Sequence, residues 1–349
     1  MSGLHDAASA VGDDPTFADP APADLDALVG RLRRLGVLPD DGPPGLGVEV
    51  LSGGVSNDVL ALTAPGIDVV VKRALPQLRV TEEWLASPER VVTEAKALRL
   101  AGRLQPGTVP PVVALDPAHH VGVIGRAPRG HREWRGELLA GTVDLRIPMM
   151  LGNILAGWHL ATAADPDALA DFHDLETFRQ LRVDPFYRWV GTRHPDLAGR
   201  ISSLGDRLLE THRCLVHGDF SPKNVLVGDS GLWVIDWEVA HVGDPVFDLA
   251  FLLTHLVCKA LHRPGDAAVL QRAADIFLVC YAGKTAEDFG DVDESYLVEQ
   301  VACLLLARVD GKSPAAYLGE NERIHARLLA RGLLASSAPS LTDLWRHVL

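Results

Sequence analysis

The segment Cys214-Leu-Val-His-Gly-Asp-Phe-Ser-Pro-Lys-Asn-Val-Leu-Val227 is followed by Leu232-Trp-Val-Ile-Asp-Trp-Glu238. Together they set Asp219, Asn224, Asp236 and Glu238 on two strand–loop units. A carboxylate five residues ahead of an asparagine, with a second carboxylate on the next strand, suits phosphoryl transfer. Asp219 can reach an acceptor hydroxyl, Asn224 can curl back toward a metal, and Asp236 can bridge that metal to phosphates. Strand-end turns that use Asp and Asn for local hydrogen bonds would also place such residues, but they leave the spacing unexplained. Glu238 can ligate a second Mg²⁺ or cap the following loop. Lys223 can neutralise a transferring phosphoryl group or stand exposed.

Lys72 closes the apolar run Val69-Val70-Val71, and Glu94 lies in the next helical pattern. There Val91, Glu94, Ala95 and Leu98 share one face. An acid inside an apolar stripe is costly unless it meets a cation, and Lys72 is the natural partner. Glu82, Glu83 and Glu89 compete, but they precede that helix or open it. The pair would aim the lysine at the α- and β-phosphates of a nucleotide. Gly53-Gly54-Val55-Ser56-Asn57 lies between the first two strands, where a phosphate-covering loop belongs, and can hold phosphate through backbone N–H groups and Ser56. Two glycines also mark an ordinary hairpin turn.

These residues need elements to position them. Leu25, Leu28, Leu32 and Leu35 form a helical stripe that Gly36 ends. Gly47–Leu51, Val59–Ala64 and Ile67–Lys72 read as a meander of antiparallel strands. Ser87-Pro88-Glu89, with Ser87 as N-cap, opens a helix to about Leu100. Val112–Leu115 and Val121–Gly125 are two further strands. Helical patterns then dominate at 148–163, 196–211, 245–262, 266–282, 294–309 and 320–336. Asp244 caps the 245–262 helix, and Asp248, one turn in, is placed to brace the catalytic loop. The expected organisation is a flexible tail at 1–22, a sheet-rich nucleotide-binding lobe at 23–128 and a larger helical lobe at 129–349, which carries catalysis and the acceptor.

Composition narrows the partners. The chain has 349 residues and a net charge of −13, which argues against nucleic acid, since phosphate backbones demand basic surface. The acidic surface permits a cationic substrate. The apolar run Phe247–Ala260 is broken by Asp248, Thr254, His255 and Lys259, so no membrane span is expected. Neither a basic, apolar-cored secretory signal nor an Arg-rich transit peptide fits the N-terminus. Four scattered cysteines, none in zinc spacing, read as buried free thiols in a reducing cytoplasm.

With these residues assembled, the chain resembles the aminoglycoside phosphotransferase-like superfamily of small-molecule kinases, through His217-Gly218-Asp219, Asn224 and Ile235-Asp236. Leu51-Ser52-Gly53-Gly54 with Ser56-Asn57 looks like that family's phosphate loop. Leu138-Leu139-Ala140-Gly141, and Leu151-Gly152 with Leu155 and His159, look like its first large-lobe helices. The small lobe is similar to the methylthioribose kinase branch over Val71–Pro76, Arg79-Val80 and Glu83-Trp84, and Asp236-Trp237-Glu238 resembles the D-x-E metal motif there.

The resemblance implies an α+β, two-lobed protein-kinase-like fold, with ATP and Mg²⁺ as cofactors and a small-molecule hydroxyl as acceptor. It implies a catalytic Asp219, Mg²⁺ on Asn224, Asp236 and Glu238, and nucleotide contacts from Gly53, Gly54, Ser56, Asn57 and Lys72 with Glu94. Gly125 and Ala127, in the hinge Val123–Pro128, would meet adenine through their backbone. Gly125 stands where relatives carry an acid, and Phe220-Ser221-Pro222-Lys223 departs from the methylthioribose branch. Trp134, Asp184, Phe186, Tyr187, Trp189 and Arg308 are expected toward the acceptor. Amino sugars and other sugars rank first, aminoglycosides second, and methylthioribose and choline below. A catalytically inactive nucleotide-binding scaffold remains the alternative.

Overall fold

The computed structural model describes residues 22–41, 45–51, 56–80 and 83–349. Gly53 and Gly54, and all but the last residue of the 1–22 tail, lie outside them. Helix α1 (Pro22–Arg34) precedes strands β1 (Gly47–Val50), β2 (Asn57–Ala64) and β3 (Ile67–Ala74), helix α2 (Arg90–Leu104), and strands β4 (Val112–Asp116) and β5 (Val121–Gly125). The strands form one antiparallel sheet in the order β1-β2-β3-β5-β4.

The two faces of β3 follow from its period of two. Val69 and Val71 join Leu32 and Leu38 in the cluster that α1 covers. Lys72 therefore belongs to the opposite face, where α2 packs with Val91, Glu94, Ala95 and Leu98 buried. The sheet is a divider that turns Lys72 toward Glu94.

After β5 come β6 (Arg132–Glu133), α3 (Trp134–Leu139) and α4 (Arg146–Ala163). The next segment was not read from the sequence. It comprises α5 (Glu176–Phe178), a π-helical stretch Arg179–Arg188 with Pro185 inside it, and α6 (Trp189–Arg193). A π-helical turn accommodates a proline poorly suited to the α-helical ladder. Helix α7 (Ala198–Glu210) leads into β7 (Cys214–Val216), β8 (Val225–Gly228), β9 (Gly231–Val234) and β10 (His241–Gly243). Strand β7 pairs with β10, while β8 pairs with β6 and β9.

The remaining helices are α8 (Val246–His262), α9 (Ala267–Phe289), α10 (Glu294–Asp310), α11 (Glu320–Ala335) and α12 (Leu341–Arg346). Helix α8 is buried along nearly its whole length, packed by α9, α10 and α11. A helix buried on nearly all sides belongs at the centre of a large core, and from there α8 supports the loop after β7.

Candidate active site

Lys72 Nζ donates to Glu94 Oε1 and to Asp236 Oδ1, both at 2.6 Å. One ammonium thus joins the sheet, α2 and the loop after β9. Burial alone would lower the lysine, but Asp236, Glu94 and Glu238 hold it above its usual value and keep it charged. Glu94 is pushed up to about 7, by burial first and by Asp236 and Glu238, against the pull of Lys72. Asp236 is also opposed by burial, yet Lys72 and Lys223 outweigh that and hold it below the usual carboxylate range. The shared ammonium serves the more open Asp236 better than the deeper Glu94. Asp236 has φ +70°, outside the ordinary range of a non-glycine residue, and such backbone costs about 1–3 kcal/mol.

Glu238 takes a different place from the one expected. Its Oε1 accepts from Ser56 Oγ at 2.7 Å, and its Oε2 accepts from Asn57 Nδ2 at 2.8 Å and Arg90 Nε at 3.1 Å. Both oxygens thus tie the loop after β9 to β2 and α2. The Ser56 and Asn57 side chains face Glu238 for the same reason. Arg90, fully buried, also donates to the carbonyls of Ser56, Leu75, Ala86 and Ser87. Arg90 and Glu94 lie one turn apart on α2, so this helix holds Glu238 directly and Asp236 through Lys72. Sequence reasoning missed Arg90, though its i, i+4 spacing from Glu94 was visible.

Asp219 sits on the facing loop. Its Oδ2 accepts from Asn224 Nδ2 at 2.8 Å, and Arg182 lies 3.2 Å from Oδ1. Burial raises the Asp219 carboxyl, against the opposing pull of Arg182 and Lys223. Arg182 also donates to Gly218 O at 2.6 Å. No motif announced Arg182; its position depends on the π-helical stretch. Asp248 Oδ2 and Oδ1 accept from the backbone N–H of His217 and Gly218 at 2.8 and 2.9 Å, so the expected brace is present. His217 Nδ1 accepts from Asp219 N–H at 3.1 Å, and its other ring nitrogen meets Ile235 O, also at 3.1 Å. Gly218 has φ +77°, and a Cβ there would lie 2.7 Å from Val239 O, so only glycine fits the turn.

Within the described residues, Asn224 Oδ1 and Asp236 Oδ2 make no hydrogen bond. Two free oxygens of this kind fit Mg²⁺, which commonly takes one or two carboxylates and completes its shell with phosphates and water.

A cavity between the sheet and α2 is lined by Lys72, Glu94, Leu98, Val112, Val123 and Ile124, among others. At its edge Gly125 N–H donates to Pro111 O at 2.8 Å. A Cβ on Gly125 would meet Pro111 at 2.9 Å, which accounts for glycine in place of an acid. That N–H is not available to adenine; Ala127 follows on the half-buried loop beyond.

The residues expected toward the acceptor divide. Trp134, Phe186 and Tyr187 are buried in the core, and Tyr187 donates to Gln300 at 2.6 Å. Asp184 binds Arg179 and Arg188, while Trp189 lies under Lys312. Arg308 is half-buried, and its Nε is buried with no hydrogen-bond partner.

A family model described as the phosphotransferase enzyme family matches residues 47–283. Methylthioribose kinase of Cronobacter sakazakii is 26% identical over 231 residues, covering 59% of this chain and 58% of that protein. The chain thus spans less than two thirds of the length of that relative. A solved choline/ethanolamine kinase family protein from Mesorhizobium loti has a TM-score of 0.56 at 17% identity, covering 92% of this chain and 98% of that one. Amicoumacin kinase in complex with AMP-PNP, Ca²⁺ and Ami has a TM-score of 0.53 at 13% identity, covering 91% and 97%. These likenesses establish the kinase-like α+β fold.

Proposed function

Since the chain belongs to the phosphotransferase enzyme family, we propose that it transfers the γ-phosphoryl group of ATP to a hydroxyl of a small, sugar-like molecule. The observation that carries this reading is the Glu94–Lys72–Asp236 chain, 2.6 Å at each link, facing the Asp219–Asn224 pair across one loop.

Lys72, held charged, offers its ammonium to the nucleotide phosphates. Asn224 and Asp236 would hold Mg²⁺, which supplies charge neutralisation at the phosphates when bound. Asp219 accepts the hydroxyl proton at its carboxylate. Its raised pKa brings the group toward neutral pH, where a general base works best. Asn224, Arg182 and the His217 ring fix the orientation of Asp219. Lys223, felt electrostatically by both Asp219 and Asp236, is positioned to offset charge developing between them. The Asp248 brace keeps the loop in register, so catalysis is chiefly positioning and charge neutralisation.

The test is Asp219→Asn assayed for ADP release against a panel of hydroxyl compounds. Turnover should fall about 10²–10⁴-fold. Near-normal turnover on the compound the wild type prefers would overturn the assignment.

A further inference from the structure

Helix α8 carries a polar stripe through the core. Asp248, Phe251, His255 and Lys259 recur at helical spacing, and the stripe starts at the Asp248 brace beneath His217 and Gly218. Arg182, which contacts Asp219, lies 5.5 Å over the Phe251 ring. Phe251 in turn contacts the His255 ring at 5.1 Å. One turn further Lys259, fully buried, donates to the His255 carbonyl at 3.3 Å and lies 5.5 Å from the Tyr317 ring. Arg308 of α10 and Arg135 of α3 complete the group, and their charges reach His255 and Lys259.

The local charge does not balance. Arg135 pairs with Glu133 at 2.6 Å, and Arg182 with Asp219. Among the described residues, Lys259 and Arg308 have no ion pair. A buried cation without a counterion is costly. Burial, with Arg135 and Arg308, pulls Lys259 down to about 7 against the opposing pull of Cys258 and Glu133. Burial and the same cations hold His255 well below its usual value, so it is neutral. This concentration of positive charge occurs in a chain of net charge −13.

Resting on the kinase reading, we propose that the acceptor is anionic: its hydroxyl meets Asp219 while a carboxylate or phosphate group sits against the half-buried Arg308, with the charge of Lys259 behind it. A quaternary ammonium or amino sugar would face repulsion there, so the overall acidity of the chain misleads about the charge of its acceptor.

The test uses matched acceptors in saturating Mg·ATP: ribose with ribose 5-phosphate, glucose with gluconate, and glucosamine as the cationic arm. Preference for ribose 5-phosphate over gluconate assigns the group as phosphate, and the reverse as carboxylate. The preferred anion should exceed its neutral match by about tenfold to a hundredfold in kcat/KM, the size of one charge-assisted contact. Arg308→Gln should erase that ratio chiefly through KM. A parallel thermal-shift series uses inorganic phosphate alone. Phosphate should raise the Tm of the wild type, and less so that of Arg308→Gln and Lys259→Met. Lys259→Met should itself be at least as stable as wild type, which separates lost binding from lost folding. Arg308-dependent protection by phosphate without any ATP consumption would sink the kinase reading and leave the anion site standing. ATP consumption on glucosamine or neutral sugars, with phosphate giving no Arg308-dependent protection, would sink the anion site and leave the kinase reading intact.

Discussion

The side of the cleft assigned to the nucleotide and the side assigned to the acceptor treat buried charge in opposite ways. On the first, Lys72 lies between Glu94 and Asp236, and Arg90 lies against Glu238. The acids outnumber the bases, and each carboxylate has a cation. On the second, Lys259 and Arg308 make no ion pair among the described residues, although Glu133 acts on Lys259 from a distance and Arg135 and Arg182 stand nearby with their own acids. Saturated pairs fix a geometry before any ligand arrives, as positioning catalysis requires. Unbalanced cations store a cost that an anion relieves on binding. The contrast places rigidity where the shared nucleotide chemistry is done, and selectivity where the acceptor enters.

Substitutions can break this contrast. The largest effect should come from Arg90→Met, which takes from Glu238 its paired cation and from four carbonyls the guanidinium donor. Losing one partner of a buried pair costs about 3–5 kcal/mol, measurable by urea unfolding. A stability within experimental error of wild type would mean that Glu238 finds another partner. Next, Lys72→Met and Glu94→Gln should couple by about 0.5–3 kcal/mol in a double-mutant cycle on Mg·ATP binding. Strict additivity would deny that Glu94 works through the lysine.

Lys259→Met sharpens the other half through pH. Folded Lys259 releases its proton near pH 7, whereas an ordinary lysine holds it to 10.5. Between these values the unfolded chain binds the extra proton, so the wild type loses stability as pH falls through the window. The advantage of Lys259→Met should vanish above the upper value, grow as pH drops and level off below about 7. A gain independent of pH would show that Lys259 is not desolvated. The smallest effect belongs to an exposed control: Lys96→Ala breaks the surface pair with Asp171 and should change stability by less than about 1 kcal/mol.

Much of this was legible in the sequence wherever a residue's role is local. The spacing of Asp219, Asn224 and Asp236 survives folding because one short loop and two adjacent strands carry it. The Lys72–Glu94 pair was legible because strand period and helix period each fix a face. The contacts of Glu238 were not legible because its partners come from two distant segments, and only the packed structure joins Ser56-Asn57 and Arg90 to it. The π-helical stretch at Arg179–Arg188 left no periodic signal, so Arg182 was missed with it. The α8 stripe is the instructive case. Asp248, His255 and Lys259 were noticed as residues that break an apolar run, yet their common helical face was not used.

The division of labour between the two loop carboxylates can be measured directly by Mg·ATP calorimetry on Asp219→Asn and Asp236→Ala. With Asp236 on the nucleotide side and Asp219 on the acceptor side, Asp219→Asn should bind Mg·ATP with near wild-type affinity while losing turnover. Asp236→Ala should lose detectable Mg·ATP binding altogether. Equal loss of binding in both variants, or undiminished binding in Asp236→Ala, would contradict that assignment.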